Sequence, residues 1–445
     1  MKRTELSRRH FVGGLAAAGV FSIVPRHVLG KGQTPPSEKL NVSCIGCGGM
    51  GDNDVRNMES QNIVALCDVD ARRAAPAFKR HAKTPKFKDF RRMLDKMDKQ
   101  IDAVTVTTPD HIHFPAAMHA VGMGKHVFVQ KPMAHSVGEV RQLTEAARKA
   151  KVATQMGIQG HAGQGWRIIK EWVDDGAIGA VRQVHCWTNK PVWPQGIGRP
   201  KDTPKVPNGL DWEMWLGPSP KRAYNPAYLP FTWRGWWDFG SCALGDMGCH
   251  VINTPFSVLE LGAPASVEAY STKVNDETGP LASTIYYEFG ARGKKPPVRV
   301  TWFDGGIMPP WPVGLEITRR RGDNEGVVFI GETGKIICTC YGGGPRIFPE
   351  SKMLAYKRPP KTIPRSIGHY REWIAACKGG KPAGANFEHS GPLTELVQLG
   401  NVAIRAGRRF NNNGLYARIE WDAKNLKIPN APKVEKYLHK TYRKY

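Results

Sequence analysis

The sequence predicts an α/β protein whose first half is a doubly wound parallel sheet. Three observations carry this expectation. The glycine-rich string Gly46-Cys47-Gly48-Gly49-Met50-Gly51 stands between an apolar strand and a helix. A second apolar strand closes on an acid, Asp68, about 20 residues downstream. Strand and helix patterns then alternate as far as Met156.

The strand before the turn is Leu40-Asn41-Val42-Ser43-Cys44-Ile45. At this spacing Gly46 permits the tight bend, Gly48 lets backbone approach a diphosphate, and Gly51 lets the helix pack against the sheet. Gly49 and Met50 complete the loop, and the helix behind it offers free N–H groups to an anion. A purely structural glycine turn would read alike. The strand Ile63-Val64-Ala65-Leu66-Cys67 and its terminal Asp68 decide for a dinucleotide, because that carboxylate is placed to accept the adenosine ribose hydroxyls. Asp68 also favours NAD, since a 2′-phosphate would meet its charge; Arg72 and Arg73 close behind keep NADP as the lesser alternative. Further strands are expected at Ala103–Thr107, His126–Val129 and Val152–Met156, with helices through Met97, over Phe114–Gly122 and from Ser136 to Ala150. Ligands bind beyond the carboxyl ends of such strands. Two polar strings fall there, Thr108-Pro109-Asp110-His111-Ile112-His113 and Gln130-Lys131-Pro132. The spacing of His111 and His113 would suit a metal, but the wider ligand set is missing and no metal is expected.

With 445 residues the chain has material for two or three domains, and 41% hydrophobic content marks it as globular rather than disordered. Lysine and arginine number 64 against 39 acids, a formal +25 that favours acidic partners. No helix-turn-helix, zinc-finger or RNA-binding signature accompanies it, so nucleic acid is not an expected partner and a solvated basic surface is the plainer account. The nine cysteines form no disulfide framework; Cys44 and Cys47 have C-x-x-C spacing but fall in a strand and in the glycine loop. Near the start, Ser7-Arg8-Arg9-His10-Phe11 precedes a short apolar run, Val12 to Val24, and resembles a twin-arginine export signal. Residues 1–30 are therefore expected to be a signal peptide read by the twin-arginine export machinery, and 31–37 a linker. The mature protein is expected to be periplasmic or otherwise exported, without a membrane span. A helix lying on a lipid surface is the alternative reading of the same run.

From about His161 the pattern changes. A helix over Trp166–Gly176, a strand over Val181–Trp187 and a Pro- and Trp-rich loop from Asn189 to Pro230 are expected. Strands follow at Ser266–Ser271, Ser283–Phe289, Val298–Phe303, Gly314–Thr318, Gly326–Ile330 and Lys335–Cys340, then helices over Ile367–Cys377 and Gly391–Ala406. The basic tail, 431–445, is expected to lie along a neighbouring surface. Asp246 and His250 are four apart in a helix expected over Cys242–Leu261, so they share a face on which a carboxylate and an imidazole can hold a hydroxyl and move its proton. A histidine merely satisfied in the core reads the same way. Trp193, Trp233, Trp236 and Trp237 lie on loops leading to this helix and offer either flat faces for sugar rings or packing; Arg234 beside them can read hydroxyls or an acidic group.

Together these strings, with Leu210-Asp211-Trp212-Glu213-Met214-Trp215-Leu216-Gly217-Pro218 and Gly245-Asp246-Met247-Gly248-Cys249-His250, resemble the glucose–fructose oxidoreductase / inositol dehydrogenase (Gfo/Idh/MocA) family. The resemblance implies an NAD-binding Rossmann domain over 38–160. It implies an α+β domain with an open, mostly antiparallel sheet over 161–430, serving substrate binding and homo-oligomer formation. It implies cofactor contacts from Gly46, Gly48, Gly49, Met50, Gly51, Asp68, Thr108, Pro109, His111, His113, Gln130 and Lys131. Lys131 and His250, helped by Asp246, are the implied acid/base groups, and Trp193, Arg234, Trp236, Trp237 and His250 the implied substrate contacts. Two positions depart from the family pattern. Gln130 stands where the family string reads Glu-Lys-Pro, which removes a charge that would pair with Lys131, and Asn253 stands where many members carry Asp.

The expected function is hydride transfer between NAD and a sugar, glycoside or polyol. Outside the cytoplasm no free NAD pool regenerates the cofactor, so export implies NAD held tightly and returned to its starting state within one redox cycle. An NAD-dependent glycosidase working by oxidation, elimination, addition and reduction is one alternative. A non-catalytic, NAD-containing sugar-binding protein is the other.

Overall fold

The computed structural model describes residues 38–310, 324–410 and 416–445. The expected signal peptide and linker, and the strand expected at Gly314–Thr318, lie outside the described residues.

Six short apolar strands build the first sheet: β1 (Asn41–Ile45), β2 (Asn62–Cys67), β3 (Lys86–Phe87), β4 (Ala103–Val106), β5 (His126–Val129) and β6 (Thr154–Met156). Their order is β3-β2-β1-β4-β5-β6 and every pairing is parallel. This is the doubly wound dinucleotide order, with its crevice where the chain reverses between β1 and β4. The central strand β4 is buried throughout, as a sheet covered on both faces requires. Helices α1 (Met50–Met58), α2 (Ala75–Arg80), α3 (Phe90–Met97), α4 (Asp110–Gly122) and α5 (Val137–Ala150) make the crossovers. Asp89 and Ser136 accept backbone N–H groups at the starts of α3 and α5. Helix α4 begins at Asp110 rather than at the expected Phe114, because Pro109 serves as its cap and the polar string after β4 forms its first turn.

The second half holds α6 (Gly165–Asp174), β7 (Val181–Thr188), α7 (Trp212–Leu216), α8 (Cys249–Val251) and α9 (Asn253–Leu259). Strands β8 (Ser266–Ser271), β9 (Ser283–Phe289), β10 (Val298–Phe303), β11 (Glu325–Gly331), β12 (Lys335–Thr339) and β13 (Arg346–Phe348) follow. The chain closes with α10 (Glu350–Ala355), α11 (His369–Cys377), α12 (Phe387–Phe410) and β14 (Tyr416–Glu420). The eight strands lie in the order β13-β12-β11-β7-β10-β9-β8-β14. Only the β7–β10 pairing is parallel, so the sheet is open and mostly antiparallel, as expected. Strand β9 alternates buried and half-buried positions along its whole length, the period of a sheet with one face in the core. Helix α12 lies across β8 and β14 and against α5.

The boundary expected between 160 and 161 falls where the chain passes from the first sheet to the second. Leu40–Tyr445 form one compact unit, and Trp373 of α11 is fully buried against Phe128 of the first sheet. The basic tail packs on its own chain: Arg443 Nε donates to Ser219 O (2.6 Å), Arg91 Nη1 donates to Tyr445 O (2.7 Å), and Tyr442 bonds Glu139. Among the described residues no helix is long and apolar enough to cross a membrane.

The core holds neutral histidines. Burial pushes His111, His250 and His369 down to about 3, and His113 and His161 to about 4. An unfolded chain protonates each near pH 6.5, so below that pH it binds more protons than the folded one and stability falls. At pH 5 each such ring costs about 2 kcal/mol. Asp110 and Glu139, raised to about 7 by burial, Asp304, raised to about 6, and Asp54 and Asp68, also raised, work in the opposite sense, but they are fewer than the lowered histidines once His126, His135, His185 and His389 join the five. Chemical denaturation at pH 7 and pH 5 is expected to show a lower midpoint at pH 5; an unchanged or higher midpoint would contradict it.

Candidate active site

The glycine turn between β1 and α1 opens one cavity of about 360 Å³ along the carboxyl ends of the first sheet. Gly46 has φ +81°, and a Cβ there would lie 2.2 Å from Thr107 O, so only glycine fits between β1 and the end of β4. A Cβ on Gly48 would meet Arg73 at 2.9 Å, so this glycine makes room for the segment after β2 as well as for a ligand. Gly48, Gly49 and Met50 line the cavity. Helix α1 starts beneath them with no side-chain cap; the N–H groups of Gly51 and Asp52 turn back on Gly48 O (3.0 Å) and Gly49 O (3.2 Å), and the positive end of the helix faces the loop.

Asp68 lines the cavity at the end of β2. Its oxygens accept the N–H of Cys47 (2.7 Å) and of Asp70 (2.8 Å), so it pins the glycine loop. Carboxylate oxygens retain further lone pairs for ribose hydroxyls. Burial raises its pKa. Arg72, one candidate for a 2′-phosphate, is committed to Asp70 through Nε (2.9 Å) and Nη2 (2.8 Å). The guanidinium of Arg73 lies over Gly49, at the diphosphate turn rather than at the ribose. Both placements suit NAD. Thr108 and Pro109 line the cavity after β4, and the Thr108 hydroxyl is buried without a partner, a polar group awaiting a ligand.

Lys131, just beyond β5, lines the same cavity. Strands β1 and β4 lie between β5 and β2, so the strand ends that carry Lys131 and Asp68 are three strand spacings, about 14 Å, apart. Lys131 Nζ donates to Asp246 Oδ1 (2.7 Å) and to Asp246 O (2.6 Å). Arg234 Nε donates to the same Oδ1 (2.8 Å). Burial alone would push the Asp246 carboxyl up. The ammonium and the guanidinium outweigh it and hold Asp246 well below the usual carboxylate range. Asp246 sits in a π turn, Leu244–Gly248, followed by α8 and α9. The helix expected over Cys242–Leu261 is thus present from Cys242 to Leu259, interrupted by this π turn and by a turn at Ile252, and Cys242 opens it with φ 57°. A Cβ on Gly245 would lie 2.0 Å from Ser241 Cβ, so the turn depends on its glycine.

Gln130 also lines the cavity, yet its carboxamide does not address Lys131. Its Nε2 donates to Asp54 Oδ2 (2.9 Å), which also accepts from Thr107 Oγ1 (2.7 Å), while Asp54 Oδ1 accepts from Tyr370 OH (2.6 Å). The buried carboxylate of this neighbourhood therefore stands on α1, and residue 130 supplies a donor to it. Q130E would set two carboxylates face to face in the interior. It is expected to destabilise the fold by about 2–4 kcal/mol, with much of the loss recovered in the double variant D54N/Q130E. Thermal melts of the three variants check this; additive losses would refute the coupling.

Several expected contacts lie elsewhere. His111 and His113 sit in the first turn of α4, behind the cavity wall, each with both ring nitrogens within reach of a backbone carbonyl, of which a neutral ring donates to one. His111 lies against Trp215 O (2.9 Å) and Phe239 O (3.3 Å); His113 lies against Pro132 O (2.7 Å) and Thr108 O (2.8 Å). They brace the wall instead of meeting a cofactor. Trp193, Trp236 and Trp237 are buried, with their indole N–H groups on Gln195, Ala227 O and Asn275 O, so they are core and not sugar platforms. Of the four loop tryptophans, Trp233 alone lines the cavity, together with Phe231, which the sequence did not single out. His250 is buried beside Tyr341, with Nδ1 unpartnered, and is not part of the cavity wall. Burial, then the charge of Lys131, keeps its ring neutral. Among the described residues no group of three or more His, Cys, Asp and Glu side chains could hold a metal ion.

A glycine cradle, a ribose-side acid and a cavity along the switch point define a dinucleotide-binding α/β protein. Residues 40–158 match the oxidoreductase-family model described as an NAD-binding Rossmann fold, and 166–289 match that family's C-terminal alpha/beta domain. The chain belongs to the Gfo/Idh/MocA oxidoreductase family, and its first half is the NAD-binding domain. It is similar to an inositol 2-dehydrogenase of Salmonella paratyphi B, 28% identical over 152 residues, 33% of this chain and 45% of that protein. The match thus spans less than half the length of that relative. The fold is shared with WlbA dehydrogenase from Bordetella pertussis, solved with NADH and UDP-GlcNAcA (TM-score 0.58, 18% identity, 87% of this chain and 100% of that one). It is shared also with aldose-aldose oxidoreductase from Caulobacter crescentus, solved with glycerol (TM-score 0.54, 17% identity, 86% and 100%).

Proposed function

We propose that this chain is an NAD-dependent oxidoreductase that interconverts a hydroxyl and a carbonyl on a sugar, glycoside or polyol. One observation carries the reading: Lys131 Nζ, anchored on Asp246, faces the cavity that the glycine loop and Asp68 open at its other end. The glycine loop, Asp68 and Thr108 hold NAD, which when bound supplies a two-electron acceptor at its nicotinamide ring. Lys131 holds the reacting oxygen by hydrogen bonding and stabilises negative charge on it. Asp246, kept ionised, aims Lys131 and Arg234 together and accepts their protons in hydrogen bonds. His250, neutral and one turn further on, shapes that charge balance from behind the wall. The inositol dehydrogenase relative and the aldose-aldose neighbour support a polyol or sugar as substrate. A panel of hexoses, uronates and inositols with NAD is expected to yield NADH and a ketone; no reduction with any of them would refute the reading.

The finer form adds export and a closed redox cycle within a homo-oligomer, with 38–160 as the cofactor domain and 161–430 as the substrate domain. It rests on the Arg8-Arg9 string. Mass spectrometry of the purified protein is expected to find NAD bound. Product analysis then separates an accumulating ketosugar from a redox-neutral product. Turnover that needs continuous added NAD would refute the cycle.

A further inference from the structure

The substrate end of the cavity carries an unbalanced positive charge, and the lining side chains beside Arg234 offer donors only. Lys131 and Arg234 both line it and share one carboxylate, Asp246, which stands behind the wall. The carboxylates that do line the cavity, Asp68 and Asp70, stand at the glycine-loop end, on backbone N–H groups and on Arg72. The two cations face Asp246 and, from the buried side, Asp110, whose carboxyl burial raises to about 7, so this end stays net positive near neutral pH.

Arg234 is also built as a platform. Its Nη1 donates to Phe231 O (3.2 Å), and its guanidinium carbon lies 4.4 Å from the ring centroids of both Phe231 and Trp233. Two rings packed against it and a carboxylate on Nε hold the fork in place, so little rotamer freedom remains to be lost on binding. Trp233 adds only an N–H donor. Gln130 spends its N–H on Asp54, and its oxygen lies against Gly157. The acceptors among the lining side chains here, the Gln130 amide oxygen and the Thr107 and Thr108 hydroxyls, belong to the strand ends, whereas Arg234, Phe231 and Trp233 offer none. Neutral polyol hydroxyls are donors as well as acceptors, and beside Arg234 their donors would go unmet. A carboxylate or sulfate is an acceptor only, and matches a fixed guanidinium edge in both charge and shape.

We propose that the substrate is a sugar bearing an anionic group, carboxylate or sulfate, which Arg234 binds while a hydroxyl of the same ring faces Lys131. This rests on the oxidoreductase reading and names its substrate class. The test titrates glucuronate, glucose 6-sulfate and glucose calorimetrically into the NADH-loaded full chain, with NADH affinity measured first. The anionic sugars are expected to bind about 10- to 100-fold more tightly than glucose, the range for hydrogen bonds to charged groups. R234Q is expected to erase the preference, and R234K, which keeps charge but not the fork, to restore part of it. A preference for glucuronate alone identifies a carboxylate, and one for the sulfated sugar alone a sulfate. Equal binding of glucose, no binding of either anion, or a preference that survives R234Q would overturn the proposal. Failure of NADH itself to bind would instead overturn the cofactor reading on which it rests.

Discussion

Replacing Lys131 with methionine is expected to lower kcat by about a thousandfold while NAD still binds, as expected on removing a proton-handling, charge-stabilising group from a reacting oxygen. The side chain is well placed for so large an effect. Its ammonium lies on the cavity wall, and two of its three donors are held by Asp246 at 2.6 and 2.7 Å, leaving the third for a ligand. Methionine keeps the length and apolar stem, and Asp246 keeps Arg234 as a partner, so no carboxylate is stranded. The fold is therefore expected to survive. NAD affinity by titration, melting temperature, and NADH formation with a sugar that the parent oxidises are measured on the same preparation. Turnover within tenfold of the parent would remove Lys131 from the chemistry. A parallel collapse of NAD binding would make it a cofactor ligand instead.

How far the site was legible follows the distance over which each residue finds its partners. The glycine turn, Asp68, Thr108 and Lys131 belong to strand ends, where fold order alone sets direction, and the structure lines the cavity with all of them. Gln130 looked like a lost charge beside Lys131. Its partner, Asp54, is 76 residues away on α1 and is bridged by Tyr370 from α11, and no local pattern reports that pairing. The helix expected over Cys242–Leu261 put Asp246 and His250 on one face. A π turn intervenes, and π turns arise from local packing that hydrophobic periodicity does not encode. For His111 and His113 the error lay in where α4 starts: a first turn at Asp110 swings both rings inward. The tryptophans show a more general limit. In strands and helices, periodicity says which way a side chain points. Trp193, Trp236 and Trp237 lie on irregular backbone, and nothing in their neighbours' identities separates a core position from a wall position.

That last distinction has the second large consequence. Trp236 is fully buried, its indole N–H donates to Ala227 O (3.0 Å), and its ring meets Tyr228 edge-on with centroids 4.7 Å apart. It belongs to a satellite cluster with Leu210, Trp215, Leu216, Leu229 and Phe239. Trp215 and Leu229 of that cluster line the cavity, so the cluster is the foundation of the substrate wall. W236A is expected to cost about 3–5 kcal/mol of stability, because it opens a cavity the size of an indole and strands a buried carbonyl. W233A offers the contrast. Trp233 stands on the wall and over Arg234, so its removal is expected to spare the melting temperature and raise KM. Urea denaturation and steady-state kinetics on both variants decide the matter. If W236A melts with the parent and W233A unfolds, the assignment of foundation and wall is reversed. Should both shift KM alone, the tryptophans would be sugar platforms, and the wall would extend beyond the cavity now seen.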